Sequence, residues 1–364
     1  MIPMFWPHVP AEKILEALGG ILKTRWIGQG PKVDLAEKRF QEQFNIPYAV
    51  GLNSCTSALH LALLLAGVSD GDEVITTPMT CSATNIPILY CRAKPIFCDI
   101  QEETLNIDPV SIKKNITAKT KAIMVVHWAG YPVDLDEVNR IAKKHNLKVI
   151  EDAAHALGAT YRNKPIGSTS DYACFSFQAI KQITCGDGGM LALLNEKDFR
   201  RAKLLRWFGI DRDFKGDIYW KYQITEIGYK YHMNDICAAM LLVQLDELAG
   251  ILKKRRQIAN RYLEGFADTP GLTLLKRDAD RQSGDWLFTV LVQRRDDFMK
   301  KLKDNSIESH MVHVRNDIYP IFGGKRRDLP VMNKLEAQYV SIPLHCNLSD
   351  NEVSKIIKVI NSGW

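Results

Sequence analysis

Residues 48–194 alternate between strand-like and helix-like patterns, and this order constrains the fold more than any other feature of the sequence. Strand patterns lie at residues 48–52, 73–77, 95–98, 121–127 and 148–151, with helical patterns between them at 57–65, 82–89 and 135–145. Such alternation requires right-handed crossovers and a mostly parallel sheet covered by helices on both faces. We therefore predict an α/β fold whose sheet continues to about residue 194.

The remainder of the chain predicts a second, smaller domain. A helical pattern runs from about residue 233 to 266, with apolar positions recurring every three or four residues. Shorter strand patterns at 286–292 and 339–342 and a final helix at 349–360 follow it. A helix this long most simply links two domains. We predict a large domain at residues 1–245, including an N-terminal arm, and a small α+β domain at 246–364.

Composition and charge narrow the class of protein. Apolar runs are too short to cross a bilayer, and the N-terminus lacks the pattern of a signal peptide, so we expect a cytoplasmic protein with no membrane partner. The net charge of +6 is modest, and the basic clusters at 253–256 and 325–327 lack interleaved aromatic residues. They favour a solvated face over a nucleic-acid site. The eight cysteines include no C-x-x-C pair, and His310 and His313 lack a carboxylate at ligand spacing, so we expect no disulfide framework and no metal.

Lys181 is an unusual residue for its position. It lies between two apolar strand patterns, residues 172–177 and 190–194, just before a turn that contains Gly186, Gly188 and Gly189. Lysine is seldom buried, because removing an ammonium group from water costs several kcal/mol. Two interpretations follow. Lys181 either caps a strand end and points into solvent, or is a desolvated amine that forms an imine with a carbonyl cofactor.

Other strand ends carry residues suited to such a cofactor. The turn Asn53-Ser-Cys-Thr-Ser57 enters a helix and offers hydroxyl and backbone N–H groups to an anion, although a plain N-cap would use the same residues. Asp152 can pair with a cationic ring nitrogen or cap a helix, and His155 can donate to a cofactor oxygen or be structural. Ser176 can add a hydroxyl to a phosphate. Together with Lys181, these groups are what pyridoxal 5'-phosphate (PLP) requires.

The motifs resemble those of the DegT/StrS-type family of nucleotide-sugar aminotransferases, whose fold is the PLP-dependent aspartate-aminotransferase fold (type I). In chain order they are Trp26-Ile-Gly-Gln-Gly-Pro-Lys-Val33, Ser54-Cys-Thr-Ser-Ala-Leu-His60, Glu151-Asp-Ala-Ala-His-Ala156, Ser176-Phe-Gln-Ala-Ile-Lys181, Gly186-Asp-Gly-Gly189, Gly228-Tyr-Lys-Tyr-His-Met-Asn-Asp235 and Gln244-Leu245. The resemblance covers most of the chain. It implies an α/β large domain that binds PLP and a small C-terminal domain.

The resemblance also implies roles for individual residues. Lys181 would form the internal aldimine with PLP and then shuttle the proton, Asp152 would hold the pyridinium nitrogen, and His155 would lie near the ring oxygen. The residues at phosphate-binding positions are Cys55, Thr56, Ser57 and Ser176, with Cys55 standing where glycine is frequent. Cys81 occupies a position at which many members have an aromatic residue that stacks on the ring. Lys230, where some members have Asn, would reach the phosphate of the neighbouring subunit in a homodimer with shared active sites.

The function implied by the resemblance is transamination in amino sugar biosynthesis. Glutamate would donate an amino group to a nucleotide-linked keto-deoxy sugar, with C-4 favoured over C-3. His313 and Arg315 would contact the substrate, although a solvated strand edge would have the same residue types. Relatives that dehydrate the sugar have histidine in place of Lys181, so the lysine favours transamination over a dehydratase. A non-catalytic binding or regulatory protein of the same fold is the other alternative.

Overall fold

The structure, a computed structural model, describes residues 1–211 and 222–364. Its helices are α1 (Ala11–Thr24), α2 (Pro31–Phe44), α3 (Cys55–Leu65), α4 (Ser82–Tyr90), α5 (Pro109–Asn115), α6 (Leu135–His145), α7 (Glu196–Leu205), α8 (Asp235–Gly265), α9 (Arg295–Asp304), α10 (Pro330–Leu335) and α11 (Asp350–Asn361). Its strands are β1 (Tyr48–Leu52), β2 (Glu73–Thr76), β3 (Lys94–Phe97), β4 (Thr120–Val126), β5 (Lys148–Asp152), β6 (Thr160–Tyr161), β7 (Lys164–Pro165), β8 (Tyr172–Ser176), β9 (Gly189–Leu193), β10 (Leu272–Leu274), β11 (Arg281–Gln282), β12 (Phe288–Val292) and β13 (Tyr339–Ile342).

The large sheet confirms the predicted α/β fold. In the described part of the chain it has seven strands in the order β1-β9-β8-β5-β4-β2-β3. Strand β9 runs antiparallel to both of its neighbours, and the other pairings are parallel. Separate apolar clusters cover the two faces of the sheet, so its strands are buried on both sides.

Strand register brings the carboxyl ends of several strands together. Asp152 lies opposite Val126 on one side and Cys174 on the other. Gly189, the first residue of β9, lies opposite Leu52 at the end of β1 and opposite Ser176 at the end of β8. The turn that follows β1, the end of β8 and the end of β5 therefore meet at one edge of the sheet, where open α/β sheets bind ligands.

A second core lies in the C-terminal part of the chain. A three-stranded antiparallel sheet of order β10-β12-β13 packs with α9, α11 and the end of α8. Helix α8 joins the two cores, because its buried residues up to Leu252 belong to the core of the large sheet and those from Ile258 to the second core. The predicted boundary after residue 245 lies inside this helix and stays a prediction.

The N-terminal arm contacts the C-terminal part of the chain. Ile2 is buried in the second core and forms a parallel bridge with Ile307, and the backbone N–H of Met4 donates to Glu308 at 2.8 Å. A small third sheet, β11-β6-β7, was not predicted. Among the described residues, no helix has the length and apolar character needed to span a membrane.

Candidate active site

Lys181 is buried at the centre of the site. It lies in the turn between β8 and β9 with 9% of its surface exposed, so it does not point into solvent as a strand cap would. Its Nζ lies 3.7 Å from the centroid of the Trp286 ring. Burial lowers the pKa of the Lys181 amine to about 8, and the negative charge of Asp152 opposes this shift. A larger fraction of the amine is therefore neutral near physiological pH than in a lysine with the ordinary pKa of 10.5.

Asp152 ends β5 and is buried beside this lysine. Its Oδ2 accepts a hydrogen bond from Thr84 Oγ1 at 2.6 Å, and its Oδ1 accepts one from the backbone N–H of Ala154 at 3.1 Å. Burial raises the pKa of the carboxyl, whereas both hydrogen bonds and the positive charge of Lys181 lower it. Carboxylate oxygens have four acceptor positions, so Asp152 retains the capacity to accept from a ligand.

The turn between β1 and α3 has the geometry of an anion-binding helix start. Ser54 is the N-cap of α3, and its side chain accepts from the backbone N–H of Ser57 at 3.1 Å. The Ser57 hydroxyl lies 3.0 Å from that of Ser54, and Thr56 is partly exposed. The N–H groups of the first helical turn have no partner within the helix and favour an anion there.

Cys55 and Ser176 flank this turn on the sheet side. Cys55 is buried with its Sγ 3.4 Å from the carbonyl oxygen of Cys174, and burial raises the pKa of its thiol. Ser176 is also buried, and its Oγ accepts from the backbone N–H of Gln178 at 3.3 Å. Gly189 of β9 pairs with Ser176 on one side and with Leu52, the last residue of β1, on the other. The Ser176 hydroxyl and the turn after β1 therefore lie at the same edge of the sheet, one strand apart.

Three aromatic rings stack beside Lys181. The His155 ring lies 3.8 Å from Trp286 and 5.4 Å from His313, measured between centroids, with both pairs stacked. Trp128 meets His155 edge-on at 6.2 Å. Burial and the charge of Lys181 lower the pKa of His155 well below its usual value and that of His313 to about 3, so both imidazoles are neutral.

The same rings carry polar atoms that lack partners. His155 Nδ1, His313 Nε2 and Trp128 Nε1 are buried and form no hydrogen bond within the described residues. Buried polar groups are almost always hydrogen-bonded, and each unpaired one costs about 1–3 kcal/mol. Three such atoms in one ring cluster indicate a site that a polar ligand completes.

Arg315 is not available to a substrate, and this corrects the expectation from the sequence. Its side chain is fully buried. Its guanidinium donates to both carboxylate oxygens of Asp317, at 2.7 and 2.6 Å, and also to Asn333 and Glu336. It therefore holds together the loop that carries His313 rather than contacting a ligand.

Cys81 and Lys230 lie at the margin of the described site. Cys81 occupies the N-cap position of α4 without making a side-chain cap bond, and it interacts electrostatically with Lys181. Lys230 is exposed, and its Nζ lies 4.9 Å from the centroid of the Trp207 ring and 5.4 Å from that of Phe208. Among the described residues, no group of three His, Cys, Asp or Glu side chains is arranged to hold a metal ion.

The residues present fit PLP. The turn at 53–57 and Ser176 have the hydroxyl and backbone N–H groups that an anion site requires, and a buried carboxylate and a buried amine interact electrostatically. The unpaired His155 Nδ1 adds a free polar atom to the same cluster. A mostly parallel sheet with such groups at its carboxyl edge defines a PLP-dependent enzyme of fold type I.

The family follows from comparison with known proteins. The model of the DegT/DnrJ/EryC1/StrS aminotransferase family matches residues 9–361, and the chain belongs to that family. It is 36% identical to the spore coat polysaccharide biosynthesis protein SpsC of Bacillus subtilis, over 99% of this chain and 96% of SpsC. The crystal structure of AtS13 from Actinomadura melliaura superposes with a TM-score of 0.96 at 36% identity, covering 100% of this chain and 99% of AtS13.

A further solved relative bears on the cofactor. The sugar aminotransferase Spr1654 of Streptococcus pneumoniae, described as putative, has been solved in PLP and PMP forms. Its PLP form matches with a TM-score of 0.93 at 30% identity, over 99% of this chain and 98% of that one. The family is PLP-dependent, so the protein is a PLP-dependent sugar aminotransferase.

Sequence reasoning missed three residues of the site. Trp286, Trp128 and Thr84 contact the predicted residues from segments that lie far from them in the chain. The sequence offers a weak signal for Thr84 alone, because it lies three residues after Cys81 in a hydroxyl-rich segment that enters a helix.

Proposed function

We propose that the protein transfers an amino group from glutamate to a nucleotide-linked keto-deoxy sugar, at C-4 in preference to C-3. The observation that carries the proposal is the buried Lys181 amine, with its pKa lowered to about 8, beside the buried Asp152 carboxylate. A regulatory protein has no use for a desolvated amine held in this way. The preference for C-4 and for glutamate rests on the family alone.

Lys181 moves the proton in this proposal. When bound, PLP supplies an electron sink that favours loss of a proton from the carbon bearing the amine. The neutral Lys181 Nζ would accept that proton from the α-carbon of the donor and deliver it to the carbon on the other side of the transferred nitrogen, and a pKa near the operating pH suits both accepting and donating. Burial by the Trp286 ring keeps water away from Nζ.

The remaining predicted residues hold the cofactor. Asp152 would keep the ring nitrogen protonated through its negative charge, and His155 Nδ1 would hydrogen-bond to a ring oxygen. The phosphate would be bound by the Thr56 and Ser176 hydroxyls and by the backbone N–H groups that begin at Cys55. The Ser57 hydroxyl, which donates to Asn53 Oδ1 at 2.7 Å, would turn to donate to it as well. Cys81 would lie near the ring, where a polarisable sulfur would take the place of an aromatic side chain.

The C-terminal part of the chain supplies the substrate contact. His313 Nε2 is buried, neutral and unpaired, and His313 stacks in the ring cluster beside Lys181. A neutral imidazole can hydrogen-bond to a hydroxyl or keto oxygen of a sugar. The Tyr339 hydroxyl fixes the backbone of His313 by donating to the His313 carbonyl oxygen at 2.9 Å.

The active enzyme in this proposal is a homodimer. Lys230 is exposed on a surface that also exposes Phe208, Ile224 and Ile227, at 39%, 62% and 82% of their surfaces. Exposed apolar groups of this size next to one cation favour burial against a second copy of the chain. Lys230 would then place its charge beside the phosphate of the cofactor that the partner subunit binds.

The test is amino transfer with a panel of substrates. The purified protein should be yellow with bound PLP, lose this colour with glutamate, and regain it with one of several nucleotide-linked keto sugars that differ at C-3 and C-4. Mass spectrometry of the sugar product should show that its keto oxygen has been replaced by an amino group. The position of the new amine distinguishes C-4 from C-3.

Lys181→Ala should retain the fold and lose more than about a thousandfold in transfer rate, as expected for removal of a nucleophile and acid–base group. Lys300→Ala is the matched control, because Lys300 is an exposed lysine that forms an ion pair with Asp304. A protein that ignores PLP would contradict the proposal, and so would a sugar product that has lost water without gaining nitrogen.

A further inference from the structure

Thr84 contacts the acid of the site directly. It lies in the first turn of α4, is fully buried, and its Oγ1 is 2.6 Å from Asp152 Oδ2. The other carboxylate oxygen is held by the Ala154 N–H. Each oxygen of Asp152 is therefore fixed by a donor, one of them a side chain 68 positions away in the chain.

The direction of these hydrogen bonds follows from the charge of Asp152. An ionised carboxylate only accepts, so the Thr84 hydroxyl donates to it. The Thr84 oxygen then accepts from the Thr80 hydroxyl, which lies 2.6 Å away. The Thr80 carbonyl accepts in turn from Asn316 Nδ2 at 2.7 Å, so the loop that carries Thr80 is tied to the C-terminal part of the chain.

We propose that Thr84 is a positioning residue of the active site, whose hydroxyl holds the Asp152 carboxylate in one orientation and in its charged form. The role of Asp152 toward the cofactor rests on the proposed function, whereas the effect of Thr84 on Asp152 does not. In the absence of the hydroxyl, Oδ2 would be buried without that donor.

The electrostatic surroundings explain why a neutral donor matters here. Burial favours the protonated acid, and the groups that face Asp152 are Lys181 and His127 together with the thiols of Cys55 and Cys174. His127 also contacts the buried Glu151 carboxylate, at 2.8 Å. The pKa of Asp152 therefore depends on the hydrogen bonds from Thr84 and Ala154 as well as on the charge of Lys181.

The experiment measures Asp152 in the apoprotein. Carbon-13 NMR of labelled aspartate carboxyls, with Asp152→Asn to assign the signal, gives its titration midpoint. Thr84→Val should raise this midpoint by about one pH unit and weaken PLP binding to the apoprotein about tenfold, as expected for the loss of one hydrogen bond to a charged group. Thr84→Ser keeps the hydroxyl. It should therefore keep the Asp152 midpoint within about 0.3 pH unit, and the PLP affinity within about twofold, of the wild-type values.

Two further variants separate this role from general packing. Thr269→Val removes another buried hydroxyl, one that donates to Asn361 at the end of α11 at 2.6 Å, and should leave the Asp152 midpoint unchanged. Thr80→Val removes only the bond onto the Thr84 oxygen and should give a smaller shift in the same direction; this variant decides the question if Thr84→Val does not fold.

A wild-type midpoint and wild-type PLP affinity in Thr84→Val would overturn the proposal, as would an equal shift in Thr269→Val. If Thr84→Val does not fold, an unchanged midpoint in Thr80→Val would overturn it. The titration needs no cofactor. A shifted midpoint in a protein that transfers no amino group would leave the role of Thr84 standing and refute the proposed function instead.

Discussion

At the scale of single residues, two opposing influences set the protonation of Lys181. Burial lowers the pKa of its amine from 10.5 to about 8, and Asp152 raises it. Only the neutral amine attacks the aldehyde of PLP, so the rate of cofactor attachment to the apoprotein should rise with pH up to a midpoint near 8. Asp152→Asn removes the opposing charge and should move the midpoint lower still. Stopped-flow absorbance measures both.

Borohydride reduction followed by peptide mass spectrometry should locate the attached cofactor on Lys181, and a free lysine derivative reacted in parallel is the control for an amine with the ordinary pKa of 10.5. Equal midpoints for the protein and the free amine would show that Lys181 is solvated and would contradict the structure.

Residues in short motifs could be predicted, and residues that reach the site from elsewhere could not. Lys181, Asp152 and Ser176 end or follow strands, and strand ends are readable from apolar runs. Trp286 stacks on His155 from 131 residues further along the chain (286 minus 155), and no local pattern records that contact. The prediction that Arg315 contacts the substrate was wrong for a different reason. An arginine in this loop suggested a substrate contact, but its guanidinium binds Asp317, only two residues further along the chain.

At the scale of secondary-structure elements, the approach of β9 to the turn before α3 requires glycine at position 189. A Cβ there would overlap the backbone carbonyl of Ser54 and lie 2.6 Å from the Cys55 nitrogen. Gly189→Ala should therefore displace the turn that we propose binds the phosphate, lower the free energy of unfolding by about 1–3 kcal/mol and weaken PLP binding. Denaturant unfolding and PLP titration of the apoprotein measure the two effects.

Gly250 provides the matched control for this substitution. It lies within α8, and an added Cβ would meet nothing within 4 Å. Gly250→Ala should raise the free energy of unfolding by about 0.5–1 kcal/mol, because alanine loses less conformational freedom in a helix, and should not change PLP affinity. Unchanged PLP affinity in Gly189→Ala would show that the turn tolerates the added group and does not bind the phosphate tightly.

The alternation of strands and helices predicted the large sheet but not its strand order. Strand β9 is as apolar as the parallel strands, and only its pairing with β1 and β8 shows that it is antiparallel. Strands β6, β7 and β11 have two residues each, which is too short for an alternating apolar pattern to be recognised in the sequence.

At the scale of the whole molecule, the site draws on both halves of the chain. Asp152 and Lys181 come from the large sheet, whereas Trp286 and His313 come from the C-terminal part. Arg255 of α8 strengthens this junction by donating to the carbonyl oxygens of Asp285 and Trp286, at 3.1 and 3.3 Å. The resemblance to a family could indicate His313 as a site residue. Only the structure shows that the two halves of the chain meet at the site.

The proposed homodimer places Lys230 of one subunit and Lys181 of the other in the same active site, and mixing two inactive variants tests this arrangement. Lys181→Ala and Lys230→Ala homodimers should each have little activity. After random exchange of subunits at equal concentration, half of the dimers are hybrids, and each hybrid has one site with both lysines intact. About a quarter of the wild-type activity should return.

The same mixture has a different outcome if both lysines serve the site of their own subunit. Every site would then lack one of them, and activity would not rise above that of the separate variants. Size-exclusion chromatography with light scattering checks that the wild-type protein and both variants are dimers, and mass spectrometry of the intact dimers verifies that hybrids have formed. Hybrids without restored activity would therefore assign Lys230 to its own subunit, where its ammonium already lies over the Trp207 and Phe208 rings.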